Sequence, residues 1–160
     1  MVSPGGFFYG KQMTVFIKEV PVEDIYPLRN KVLRPGQPVQ SCHYDEDSMV
    51  GVFHLAAIEN NRVVGIASFY PEAHPSLSAD NAWRLRGMAT DSDVRGQGIG
   101  RALLKHGINS CSLRGGNLLW CNARTAALPF YRKLDFEIQG NEFMIENIGP
   151  HYLMYYQISD

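Results

Sequence analysis

The segment from Leu85 to His106 constrains the fold more than any other. It runs Leu-Arg-Gly-Met-Ala-Thr, then Asp-Ser-Asp-Val, then Arg-Gly-Gln-Gly-Ile-Gly-Arg-Ala-Leu-Leu-Lys-His. This reads as a strand passing through a glycine-rich turn directly into a helix, which aims backbone N–H groups and the positive end of the helix dipole at one small space. Such a space binds anions. Gly96, Gly98 and Gly100 keep Cβ atoms away from a ligand, and Arg95 and Arg101 add mobile positive charge. Spacing excludes two common phosphate loops. A dinucleotide G-x-G-x-x-G starting at Gly96 needs glycine where Arg101 stands, and a P-loop needs Gly-Lys-Ser/Thr, which is absent.

Length permits one ordinary core. A chain of 160 residues buries about 70% of the surface that its unfolded form exposes. Fifteen basic and sixteen acidic residues leave a net charge of −1, which gives no general attraction to nucleic acid or to anionic membranes. Cys42, Cys111 and Cys121 are odd in number and lack a C-x-x-C pair, so neither a disulfide framework nor a metal site is expected. No apolar run approaches the roughly 18 residues of a membrane span, and no signal-peptide pattern opens the chain. A cytoplasmic location is the expectation.

Residues 1–12 carry Gly and Pro breakers without a sustained period and read as a flexible extension, with Met13 a second candidate start; 13–160 read as one domain. Val15 to Val20 is β-rich, and Ile25, Leu28 and Val32 fall at helical spacing before Pro35-Gly36, with Pro27 confined to the first turn. Gln37 to Val50 is polar and irregular, a solvated loop or short helix over a substrate mouth. Phe53–Ile58 and Val63–Tyr70 form an antiparallel hairpin across Glu59-Asn60-Asn61-Arg62, and Trp83 to Thr90 is the strand that feeds the glycine turn. A helix follows, ended by Gly115-Gly116. Then come a short strand at Leu118–Cys121, a helix over Ala126–Leu134, and strands at Phe136–Gln139 and His151–Ile158. The order is that of a mixed α/β domain. Tyr152, Tyr155 and Tyr156 in the last strand fit either core or a dimer edge, which leaves monomer and homodimer open.

Arg95 to Gly100, Arg-x-x-Gly-x-Gly, resembles the pyrophosphate loop of the GNAT superfamily of acetyl-CoA-dependent N-acetyltransferases. Asn122 to Phe136 is similar to the GNAT segment in which a strand splays from its neighbour, the pantetheine arm enters the gap, and a tyrosine on the next helix reaches the thioester. Four further segments narrow the resemblance to the bacterial glyphosate N-acetyltransferase group: Val32 to Pro38, Leu85 to Thr90, Leu119 to Thr125, and Ile148 to Met154. The match runs from about Glu23 to the C-terminus. Its loop departs from that group toward the superfamily norm.

The resemblance implies a GNAT fold, with a central, mostly antiparallel sheet, splayed parallel strands and flanking helices. It implies acetyl-CoA as cosubstrate and no metal. Cosubstrate contacts would come from Met88, Ala89, Thr90, Arg95, Gly96, Gln97, Gly98, Ile99, Gly100, Arg101, Asn122 and Phe130. Arg34, Arg86 and Arg124 would clamp a small acidic amine, His151 would be the general base, Tyr131 the general acid, and the backbone N–H of Met88 the oxyanion contact. Residue chemistry is compatible with these roles. A guanidinium in a central strand, as at Arg86, is costly to desolvate unless it meets an anion, either a substrate or a buried Asp or Glu. Histidine has the intrinsic pKa suited to deprotonating an ammonium near neutral pH. Direct attack in a ternary complex is expected, with Cys121 an inert buried thiol. Two other readings stay open: a GNAT enzyme acting on another amine (amino acid, amino sugar, polyamine or protein), and an acyl-CoA-binding module without turnover.

Overall fold

A computed structural model describes residues 6–9 and 13–159. Among the described residues eight strands form one sheet: β1 (Gly6–Tyr9), β2 (Met13–Val20), β3 (Phe53–Glu59), β4 (Arg62–Pro71), β5 (Ala82–Thr90), β6 (Leu118–Arg124), β7 (Glu137–Ile145) and β8 (Gly149–Gln157). Their spatial order is β1-β2-β3-β4-β5-β6-β8-β7, and every neighbouring pair is antiparallel except β5 with β6. Helices α1 (Tyr26–Leu33), α2 (Ile99–Leu113) and α3 (Leu128–Arg132) flank the sheet. Within the expected extension 1–12, Gly6–Tyr9 pair with β2, and its other residues lie outside those described.

Local chemistry explains the turns. Asn60 and Asn61 both take positive φ (50° and 62°), the geometry that lets a two-residue turn follow the twist of β3 and β4. Helix α2 is capped by Gly98 before its first turn and followed by Gly115 at φ 82°; Gly116 N donates to Cys111 O (2.8 Å) and Gly115 N to Ser112 O (2.9 Å), closing its last carbonyls. Within it, Gly107 lets the helix settle on the sheet, because a Cβ there would run into the Phe69 ring.

The two faces of the sheet differ. Under α2 and α3 a continuous core joins Phe53, Phe69, Trp83, Leu103, Leu119 and Met154. The opposite face has two smaller apolar clusters, one of Ile25, Leu28, Ile66 and Ala89 under α1, the other of Leu118, Trp120 and Leu153. Between them His54, Ser68, Tyr70, Arg84 and Arg86 project from three adjacent strands by period-2 alternation.

Three boundaries depart from the sequence reading. β6 continues to Arg124, and α3 is shorter than the helix expected over Ala126–Leu134, because Thr125–Ala127 form a 3-10 turn. β7 runs to Ile145, not Gln139; its middle, Gly140-Asn141-Glu142, is exposed at the sheet edge and bulged, so it carries no apolar alternation. β8 lies inside the sheet between β6 and β7. Tyr152 and Tyr156 therefore pack on the main core, and Tyr155 donates to Glu137 Oε2 at 2.8 Å. Among the described residues no helix is long and apolar enough to cross a membrane.

Candidate active site

The central opening comes from strand divergence. β5 and β6 pair only at Ala82–Leu118, Trp83–Leu119 and Arg84–Trp120; beyond that β5 stays with β4 and β6 with β8. A bulge then reshapes β5. Between the pairs Ile66–Ala89 and Ser68–Arg86, the two residues Gly87 and Met88 oppose the single Ala67, with Gly87 at φ 64°. Left-handed glycine is what such a bulge requires. It shifts the alternation, so Arg86 faces the α1 side while Met88 packs toward the main core.

Beyond β5 the chain is pinned before the glycine turn. Asp91 is buried, accepts from Asp93 N, and pairs with Lys31 Nζ at 3.0 Å and Arg62 Nη1 at 3.5 Å. The Lys31 hydrogen bond, the turn N–H and the Arg62 charge outweigh burial and hold its carboxyl below the ordinary value. Gly96 and Gly98 then take φ +80° and +81°, with open space where a Cβ would stand, and α2 starts at Ile99. A groove of about 270 Å³ lies alongside, lined by Val32, Met88, Ala89, Thr90, Arg95, Gly100, Ala127, Phe130 and Tyr131. Gln97 and Arg101 are exposed beside it. Two residues named from sequence as cosubstrate contacts lie elsewhere. The Ile99 side chain is in the core against Gly65, which leaves only its backbone for a ligand, and Asn122 lines the neighbouring cleft.

That second cleft, about 280 Å³, gathers Arg34, Arg84, Arg86, Asn122, Arg124 and His151, and it shares Met88, Ala127 and Tyr131 with the groove. Outside it a depression of about 570 Å³ continues past Arg34, Arg124 and residues 146–148. His151 is buried, paired across the ladder with Arg124, and its Nδ1 lies 2.7 Å from Gly149 O. A carbonyl only accepts, so Nδ1 carries the proton and Nε2 is left with a lone pair in the neutral ring. Burial is the main reason the Tyr131 hydroxyl is held far above its usual pKa, with Cys121 beside it adding to the rise. It stays protonated near neutral pH. Burial likewise pushes the Cys121 thiol up to about 12.

Of the three arginines read from sequence, Arg124 is exposed, Arg34 donates to Leu33 O (3.0 Å), and Arg86 pairs with Glu46 Oε2 (3.3 Å). A fourth went unread. Arg84 lies over the Trp120 ring at 4.8 Å and pairs with Glu72 at 3.2 Å; burial first, then the Arg86 charge, lower its pKa. Its i, i+2 spacing from Arg86 was the available signal.

The loop 37–50 is not simply solvated. It forms 3-10 turns at Val39–Cys42 and Asp45–Ser48, and Asp47 is buried against Arg29, which is 0% exposed. Arg29 donates to Asp47 Oδ2 (2.7 Å) and Oδ1 (3.2 Å), to Cys42 O (2.7 Å) and to Ser68 Oγ (3.0 Å), while Tyr70 OH donates to Asp47 (2.6 Å). Burial would raise the Asp47 carboxyl, but the hydrogen bonds from Arg29, Tyr70 and Tyr44 N outweigh it and hold it low. His54 joins through Ser68 Oγ (2.7 Å) and Asp47 O (3.1 Å), and burial lowers its pKa. The network abuts the bulge, for a Cβ on Gly87 would stand 3.1 Å from Arg29 Nε. Among the described residues no cluster of His, Cys, Asp or Glu could hold a metal ion.

The sequence profile described as Acetyltransferase (GNAT) family matches residues 22–136. The chain belongs to the GNAT acetyltransferase family. As a GNAT enzyme it is an acetyl-CoA-dependent N-acetyltransferase. It is 40% identical over 139 residues to an uncharacterized N-acetyltransferase of Bacillus subtilis (strain 168), YitI, covering 87% of this chain and 93% of that one. Among solved structures, Escherichia coli ElaA shares the fold with a TM-score of 0.72 at 15% identity, covering 89% of this chain and 99% of its own. An aminoglycoside 6′-N-acetyltransferase complexed with coenzyme A gives 0.72 at 19% identity, covering 91% and 98%.

Proposed function

We propose that this GNAT enzyme acetylates the amine of a small acidic acceptor, one bearing a carboxylate together with a phosphonate or second carboxylate, by direct attack in a ternary complex. The observation that carries the proposal is the junction at Met88, Ala127 and Tyr131, where the glycine-turn groove meets a cleft lined by four arginines and one histidine. The resemblance to the glyphosate N-acetyltransferase group supports the same acceptor class.

Acetyl-CoA supplies the activated acyl group. The open, left-handed backbone at Gly96 and Gly98 and the start of α2 suit its pyrophosphate, with Arg95, Gln97 and Arg101 beside them and Thr90 and Phe130 along the groove. Arg34, Arg86 and Arg124 hold the acceptor's anionic groups, each charge-assisted bond contributing roughly 1.5–3 kcal/mol. Neutral or cationic amines bring no anion to these guanidiniums. His151 Nε2 takes the proton from the acceptor's ammonium. The Met88 N–H meets the negative charge that develops on the acyl oxygen. Tyr131, kept protonated by burial, gives its proton to the departing sulfur. The free, buried thiols of Cys42, Cys111 and Cys121 accord with a reducing, cytoplasmic setting.

The test is thiol release from acetyl-CoA across amino-phosphonates, acidic and neutral amino acids and polyamines, with His151→Ala alongside. Turnover confined to acidic amines, and a loss on the order of 100-fold in kcat for His151→Ala, are expected. Turnover of neutral or cationic amines, or none across the panel despite coenzyme A binding, refutes the acceptor assignment.

A further inference from the structure

Three residues of the 44–47 segment face different groups. Asp47 is fixed in the buried network, and the Tyr44 ring lies between two guanidiniums, 4.1 Å from Arg29 Cζ and 4.0 Å from Arg86 Cζ. Glu46 turns to Arg86, which lines the cleft. Its side chain is 42% exposed, and its one hydrogen bond or ion pair among the described residues is to Arg86 Nη1, 3.3 Å away and through a single oxygen. The Arg86 guanidinium in turn makes no other hydrogen bond among the described residues. Its charge is thus met by a carboxylate of the chain itself, at the position where an acceptor's anion would bind. An ion pair this exposed, without bidentate geometry, exchanges easily. Tyr44 keeps the guanidinium plane in place when the carboxylate leaves.

We propose that Glu46 is a specificity-determining residue of the acceptor site, a built-in counter-ion that holds Arg86 in the empty cleft and is displaced by an anionic acceptor. The inference rests on the acidic-acceptor reading above. Glu46 raises the KM of acidic acceptors, because they must expel a like charge. It also lowers the penalty for neutral ones, which find Arg86 already paired.

Two readouts test this in Glu46→Gln, with Glu19→Gln as a charge-matched control whose partner is Arg114. The first is the KM of the best acidic amine. The second is calorimetric binding of phosphonoacetate, a dianion without an amine, also measured with Arg86→Gln and with both changes together. The expected result is a roughly two- to fivefold drop in both constants for Glu46→Gln, none for Glu19→Gln, and none from Glu46→Gln when Arg86 is already Gln. Unchanged or weakened phosphonoacetate binding in Glu46→Gln overturns the proposal, as does a gain that persists without Arg86. If no acidic amine is turned over yet phosphonoacetate tightens as expected, the acceptor reading falls and the role of Glu46 stands. Failure of both proteins to bind phosphonoacetate overturns both.

Discussion

Asp47→Ala isolates the network beneath the acceptor cleft. The change removes the acceptor of four hydrogen bonds: two from Arg29 (2.7 and 3.2 Å), one from Tyr70 OH (2.6 Å) and one from Tyr44 N (2.9 Å). Arg29 has no exposed surface, so its charge remains inside with Cys42 O, Ser68 Oγ and the more distant Tyr70 hydroxyl as acceptors. Breaking a buried pair from one side costs about 3–5 kcal/mol. A half-exposed pair such as Arg86–Glu46 is worth about 0–1 kcal/mol. With a urea slope of about 2 kcal/mol/M, the unfolding midpoint, followed by the fluorescence of buried Trp83 and Trp120, should fall by about 2 M. Replacing the whole cluster, as Arg29→Met with Asp47→Leu and Tyr70→Phe, should restore most of the loss, since no charge or hydroxyl is left stranded. A midpoint shift under about 0.5 M for Asp47→Ala would mean that water reaches the Arg29 guanidinium, and the buried-network reasoning would be wrong.

Two further outcomes follow from the same geometry. Cys121 sits protonated with its thiol pushed to about 12, so Cys121→Ala should keep kcat within a few-fold; complete loss of turnover would point to a covalent acyl-enzyme. Both His54 and Asp47 titrate below their ordinary values in the fold. As pH falls below about 6.5 the unfolded chain takes up a proton that folded His54 refuses, so stability drops first there. It drops again as pH falls below about 3.9 and through the depressed Asp47 value. Thermal unfolding against pH should show the upper loss in the wild type and not in His54→Gln; persistence in the variant would assign it to another group.

The glycine turn and α2 were legible because their residue types act locally: left-handed backbone at Gly96, Gly98 and Gly115, and an apolar helix face between them. The β3–β4 hairpin was legible for the same reason at Asn60 and Asn61. The convergence of Arg34, Arg86, Arg124 and His151 on one cleft came only through a family resemblance, for nothing in their spacing brings four distant segments together. Arg29, Asp47, His54, Ser68 and Tyr70 left no such trace. Their partners are 7 to 41 residues apart, and each residue alone passes for an ordinary surface or core position. The bulge at Gly87 was also hidden, since one glycine in a strand does not say which way it bends.

Among the described residues, the β5–β6 ladder ties β1–β5 to β6–β8 by three residue pairs, with one backbone hydrogen bond from Asn117 N to Asn81 O beside it. Further cohesion between the two halves comes from side chains packed across the seam on both faces, those of α2 and α3 on one and Ala82, Arg84, Leu118 and Trp120 on the other. A molecule bridging the gap acts as a strut between them, so its binding free energy adds to the resistance of the halves to separation. Melting temperature should therefore climb with cosubstrate concentration and report occupancy directly, and a melting temperature that stays fixed across that range would show that the cosubstrate does not bind the folded chain.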